Sequence, residues 1–236
     1  MAKQKPIFTA ETSRFFRDLS RNNRKEWMDA NRERYREQVV EPFRVLLDRL
    51  GPVVLRLNQH FDISGRTGTN FSRINRDIRF ARDKSPYRTQ MYLLFTDERA
   101  QGDPSATPSA GDGQLYVGLA TDTVTVGLRI YGDRKSWLNQ ITAPRALEQA
   151  RWLERQARRL RRKYESYWYS TEKGVWKKSG GWPVRPEEWK RIRGWIVRRK
   201  MSPSAATRAD FADQVARIFR ELLPLYRFAS SADWEP

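Results

Sequence analysis

Residues 72–90, SRINRDIRFARDKSPYRTQ, carry six Arg/Lys and two Asp interleaved with apolar residues. A planar guanidinium presents a fork of donors matched to carboxylate or phosphate. If residues 72–80 form one strand, alternate residues on a face stand about 6.6 Å apart. Arg73, Asp77 and Arg79 then line one face, and Arg88 reaches in from the next strand. Asp77 between arginines stays ionised and orients one of them. Arg76 falls on the side of Ile74, Ile78 and Phe80, where an unpaired guanidinium is too costly. It needs a carboxylate (Asp83, Glu26 or Asp29) or a bulge in the strand. The candidate ligand-binding set is Arg73, Arg76, Asp77, Arg79, Asp83, Lys84, Tyr87 and Arg88. As chemistry, Asp77 or Asp83 would act as base or metal ligand and Tyr87 or Lys84 as acid, with the arginines holding developing charge. The same charges would equally form an internal lattice of salt bridges.

A second concentration lies in residues 151–200, where 17 Lys/Arg stand against 5 Asp/Glu, a net of +12 out of +18 for the chain. The window also holds Trp152, Trp168, Trp176, Trp182, Trp189 and Trp195. Cations interleaved with aromatics suit a single-stranded nucleic acid, whose phosphates meet the cations and whose bases stack on the rings. Arg158, Arg162, Lys177, Lys178, Arg198 and Lys200 are the candidate nucleic-acid-binding residues. The alternative is that the tryptophans fill the core and the arginines form a solvated helix face.

Several classes of chemistry are excluded or disfavoured. The chain has no cysteine, so disulfides, thiolate nucleophiles and thiolate metal sites are absent. His60 is the only histidine, which disfavours a zinc site or a histidine-driven triad. No G-x-x-x-x-G-K-[ST] loop is present, and no metal or cofactor is expected. The first residues lack the apolar run of a signal peptide, and no stretch reaches the ~18 apolar residues that span a bilayer. A cytoplasmic protein without membrane insertion is expected.

The elements around these clusters follow from periodicity. Helices are expected over the first sixty residues: one with Phe15, Phe16 and Leu19, one opened by an Asn23/Glu26 capping box, and one opened by Pro42 and bent or split at Gly51-Pro52. From residue 71 the period becomes two. A strand over 72–80, a turn at 83–86 and a strand carrying Met91, Leu93 and Phe95 follow. Residues 98–113 read as a flexible loop, and residues 115–120 and 124–131 as a hairpin. Gly118, Ala120 and Gly127 would leave a shallow floor for a ligand. Pro144 opens a long helix with Ala150, Leu153, Ala157, Leu160 and Tyr164 on one stripe. A last helix is expected near residues 207–223. The fold class is α+β: an antiparallel sheet of about four or more strands flanked by N- and C-terminal helices, in one domain over residues 1–236.

One family resemblance rests on three strings. They are Phe15…Asn22-Asn23…Trp27…Arg32; Arg73-Ile74-Asn75-Arg76-Asp77-Ile78-Arg79-Phe80…Asp83-Lys84-Ser85-Pro86-Tyr87-Arg88-Thr89; and Ile196-Val197-Arg198-Arg199-Lys200. In this order they resemble the bacterial domain-of-unknown-function family number 2461. The resemblance implies a single α+β domain and no particular activity. The chain departs from that pattern in a glycine-poor strand at 124–131, in Ser179-Gly180-Gly181-Trp182-Pro183, and in a longer loop at 98–113.

Three functions follow as expectations. The first is binding of nucleic acid or another polyanion. The second is an enzyme or sensor for a small phosphorylated or carboxylated ligand at the charged hairpin. The third is a structural salt-bridge core in an interaction protein.

Overall fold

A computed structural model describes residues 5–79, 81–101, 111–132 and 136–236. Phe80 and most of the loop expected at 98–113 lie outside these residues.

The N-terminal helices form where the periodicity places them. Thr9 is extended and its hydroxyl accepts the Glu11 amide at 3.2 Å, capping α1 (Ala10–Arg21), whose Phe15, Phe16 and Leu19 are buried. Helices α2 (Lys25–Ala30) and α3 (Arg32–Tyr35) follow, then a π-helical turn, Arg36–Val40, leading into α4 (Glu41–Leu57). The Asn23/Glu26 capping box does not form: Arg24 takes the N-cap of α2 without a side-chain bond. The Asn23 amide is engaged elsewhere, on both backbone groups of Tyr87. Pro52 does not split α4. The stripe Leu46, Leu47, Leu50 and Val54 is buried on both sides of it, and that packing carries the helix past the missing amide.

The sheet has six antiparallel strands among the described residues, in the order β1-β2-β3-β6-β4-β5. They are β1 (Gln90–Thr96), β2 (Gln114–Ala120), β3 (Val124–Tyr131), β4 (Glu165–Glu172), β5 (Val175–Gly180) and β6 (Ile192–Met201). Among the described residues 72–79 the expected strand does not form. Residues 71–75 instead run beside residues 87–93 through two isolated bridges, Phe71↔Leu93 and Asn75↔Tyr87. Four residues on one side thus face six on the other, so a regular ladder cannot close. β4 and β5 are joined by Lys173-Gly174, both at positive φ (51° and 78°), the two-residue loop whose twist matches a hairpin.

The C-terminal half departs from expectation in its boundaries. The long helix begins before Pro144, as a π-helical turn (Leu138–Thr142) and α5 (Ala143–Glu148), and is interrupted at Gln149 before α6 (Ala150–Leu160). Its buried stripe is Trp152, Leu153, Ala157 and Leu160, while Ala150 is exposed. After α7 (Pro186–Arg191) and α8 (Pro203–Ala206), α9 runs Phe211–Ser230 through Pro224. It outlasts residue 223 because Leu225, Tyr226, Phe228 and Ala229 continue its buried face.

Alternation divides the sheet into two faces. Met91, Leu93 and Phe95 of β1, Leu115, Val117 and Leu119 of β2, Val124, Val126, Leu128 and Ile130 of β3, and Trp195 and Val197 of β6 join the helices in one apolar core. The opposite face contributes no described side chain to that core. No helix among the described residues is long and apolar enough to cross a membrane.

Candidate functional site

The charged hairpin is held open and on the surface. Its backbone is tied by Arg88 N–H to the Ile74 carbonyl (2.7 Å) and Arg76 N–H to the Pro86 carbonyl (2.8 Å). Asn23 donates to the Tyr87 carbonyl (2.8 Å) and accepts its amide (3.0 Å), so the N-terminal helices fix the turn. Arg76 pairs with Asp83, the first of the carboxylates considered for it, and the absence of a ladder frees it from an apolar face. Hydrogen bonds from Ser85 and Arg76 hold the Asp83 carboxyl well below the usual carboxylate range. Arg79 pairs with Asp77 at 2.7 Å, and both are exposed. Lys84 Nζ donates to the Ile78 carbonyl at 3.0 Å. These pairs are at the surface, so they form no internal lattice.

The structure does not bring the eight hairpin residues together. Arg76, Asp83, Tyr87 and Arg88 line a cleft of about 470 Å³ with Ser20 and Asn23. Arg73 faces a different hollow, with Tyr35 and Arg44. Asp77, Arg79 and Lys84 line neither. Arg88 has no side-chain partner among the described residues.

Gln90 borders both this cleft and a hollow on the open sheet face. That hollow of about 240 Å³ is floored by Gly118, Ala120 and Thr125 and walled by Tyr92, Arg198 and Lys200. Gly118 and Ala120 were expected as a floor; Gly118 has a more specific role, and so does Gly194, which was not expected there. A Cβ on Gly118 would stand 2.4 Å from the Tyr92 ring, and one on Gly194 would stand 2.5 Å from the Tyr131 ring. Each glycine lets the tyrosine of the neighbouring strand lie over it. Gly127 lines neither of these two hollows: a Cβ there would meet the Val197 carbonyl at 2.3 Å, so it serves strand approach.

Tyrosines and cations tile the rest of this face. Arg129 sits between Tyr92 and Tyr116, 5.1 and 5.2 Å from their ring centres. Lys178 and Arg198 both lie over Tyr167, at 3.9 and 5.0 Å. Tyr169 contacts Tyr131, Tyr167 and Trp176, with centroids 5.7–6.2 Å apart. Tyr131 is 41% exposed and Trp176 55%. Burial pushes the Tyr116 and Tyr131 hydroxyls up, and that of Tyr167 up to about 12, so these phenols stay neutral. Burial opposes the charge on Arg198, but the hydrogen bond to Glu165 together with the nearby Tyr167, Tyr116 and Glu165 outweighs it and holds its pKa above the ordinary value. A neutral aromatic surface carrying fixed cations results.

The six residues read as a nucleic-acid contact divide accordingly. Lys178, Arg198 and Lys200 are on the open face by register. Lys177 points from the other side of β5 and pairs with Glu172 at 3.2 Å. Arg158 pairs with Glu154 at 2.6 Å on the outer side of α6, and Arg162 is exposed just beyond that helix. The Trp-rich surface expected with them is not formed. Trp152, Trp168, Trp189 and Trp195 are buried and Trp182 packs against the core, leaving Trp176 as the exposed member of the set. Indole area is worth most in a core, and α6, β4, α7 and β6 each turn theirs inward. Tyr116, Arg129, Tyr131, Tyr167 and Tyr169 were missed from the sequence. Tyr167 and Tyr169 alternate with Ser166, Trp168 and Ser170, a period-two signal hidden because both parities carry bulky rings.

The architecture is that of an α+β protein whose sheet packs helices on one face and on the other carries tyrosines and cations beside the buried Leu94, Tyr116 and Ile196. A family profile described as "Conserved hypothetical protein (DUF2461)" matches residues 11–228, nearly the whole chain, and the protein belongs to that family. No curated protein matches it.

Proposed function

We propose that the open sheet face binds single-stranded nucleic acid. The observation that carries this reading is the pairing of exposed rings, Tyr131 and Trp176, with Arg129, Lys178, Arg198 and Lys200 on a face that no described helix covers. Single strands stack unpaired bases on such rings, each worth ~1–3 kcal/mol, while cations track the phosphates. A strand leaving the sheet over Gln90 meets the free guanidinium of Arg88 in the hairpin cleft. A net charge of +18 favours the encounter. The test is quenching of Trp176 fluorescence by an oligouridylate. Saturable quenching that Trp176→Phe removes is expected; equal binding of duplex and single strand, or none at low salt, would refute the reading.

A second reading is favoured by the unpaired Arg88 and the 470 Å³ cleft beside it: a small phosphorylated or carboxylated ligand held by Arg76 and Arg88. Mononucleotide binding that Arg88→Ala abolishes and Trp176→Ala leaves intact would favour it over the strand.

A further inference from the structure

A cavity of about 370 Å³ at the end of β1 shares no residue with the hairpin cleft or the open face. Asn58 and His60 follow α4 into its wall, Asp97 and Arg99 follow β1, and Tyr226 and Arg227 come from α9. Asp97 is 1% exposed. A buried carboxylate is costly unless its oxygens are met. Here Arg99 Nε donates to Oδ1 (2.9 Å) and Nη2 to Oδ2 (2.7 Å), and Asn58 donates to Oδ2 (2.7 Å). The Arg99 amide adds a bond to Oδ1 at 3.0 Å.

This arrangement fixes one edge of the guanidinium and leaves Nη1 without a partner among the described residues. The Tyr226 hydroxyl is buried beside the Asn58 amide, and its own proton meets no acceptor among the described residues. Buried polar atoms are nearly always paired, so an unpaired donor next to a preorganised cation has a physical meaning. The loop is tied as well: His60 N–H donates to Asn58 Oδ1 (3.0 Å), and Glu98 N–H to the His60 carbonyl (2.9 Å).

We propose that this cavity binds a small organic acid by its carboxylate or phosphate, with Arg99 Nη1 and the Tyr226 hydroxyl as donors to the oxyanion. Asp97 is the positioning residue for Arg99. Arg227 in the wall favours a negative ligand, and Asp233, also in the wall, disfavours a second acidic group.

His60 is the only histidine, so its ring Cε1–H gives one proton resonance to follow. Inorganic phosphate and, separately, acetate are titrated at constant ionic strength. A saturable shift with either probe is expected, and which probe saturates tells phosphate from carboxylate. Tyr226→Phe removes one hydroxyl and keeps the buried ring, so the variant should fold. It should weaken binding about five-fold or more, the effect of one lost hydrogen bond. No shift, a shift that stays linear, or one unchanged by Tyr226→Phe with both probes would overturn the proposal.

Discussion

The two faces of the sheet are made by alternate residues of the same strands, yet different forces hold them. On the helix side Val126, Leu128, Val197 and Trp195 are buried against α9 and its neighbours, where area removed from water is the main return. On the open side Arg129, Tyr131, Tyr167 and Arg198 cover the backbone with rings and cations that still reach solvent. A protein seeking only stability would gain little from leaving Trp176 and Tyr131 outside. The contrast separates residues that hold the fold from residues available to a ligand.

The largest effect should come from the packed side. Trp195→Ala removes a fully buried indole and its 3.0 Å bond to Ser166, and should cost about 3–5 kcal/mol in urea unfolding. Next come the glycines. Gly127→Ala meets backbone and should cost about 1–3 kcal/mol. Gly194→Ala meets the exposed Tyr131 ring, which can swing away; it should lower oligonucleotide affinity more than stability. Equal unfolding costs for the two glycine variants would erase the distinction between a glycine set against backbone and one set under a movable ring. Smaller still, the double variant Tyr131→Ala, Trp176→Ala should stay within about 1 kcal/mol of the parent in stability while losing most of the stacking contribution.

Acid provides a further contrast. Burial alone would raise the Asp97 pKa, but hydrogen bonds from Arg99 and Asn58 outweigh it and leave it lowered. Its stabilising contribution is therefore complete above the ordinary carboxylate value of about 4 and is lost as pH falls through the lowered one. Asp97→Asn should be less stable than the parent at neutral pH, and the gap should narrow in acid. The exposed Arg76–Asp83 pair is the weakest case: Arg76→Ala should shift stability by less than about 1 kcal/mol.

Much of the fold was legible because periodicity reports burial on one side. Leu115, Val117 and Leu119 against Val124, Val126 and Leu128 gave β2 and β3, and Phe15, Phe16 and Leu19 gave α1. The pattern failed where both sides of a strand are bulky. Tyr167, Trp168 and Tyr169 in β4 show no apolar alternation, although Lys173-Gly174 was an available hairpin signal. It also failed at residues 72–80, where alternation was real but the register against β1 broke. The charged hairpin and the cations of β5 and β6 were visible by composition. The tyrosine face was not, because a tyrosine reads alike whether it lies over a glycine at the surface or in a core.

The most direct test compares two charge reversals in one salt titration of single-strand binding. Lys178→Glu with Lys200→Glu changes the open face; Arg158→Glu with Arg162→Glu changes the outer side of α6 by the same charge. Each phosphate neutralised contributes about 0.7 to the slope of log K against log salt. The open-face pair should lower affinity and flatten the slope by about one phosphate or more, while the α6 pair leaves the slope nearly unchanged. The opposite ranking, or equal losses from both, would contradict the assignment of the open face as the ligand surface.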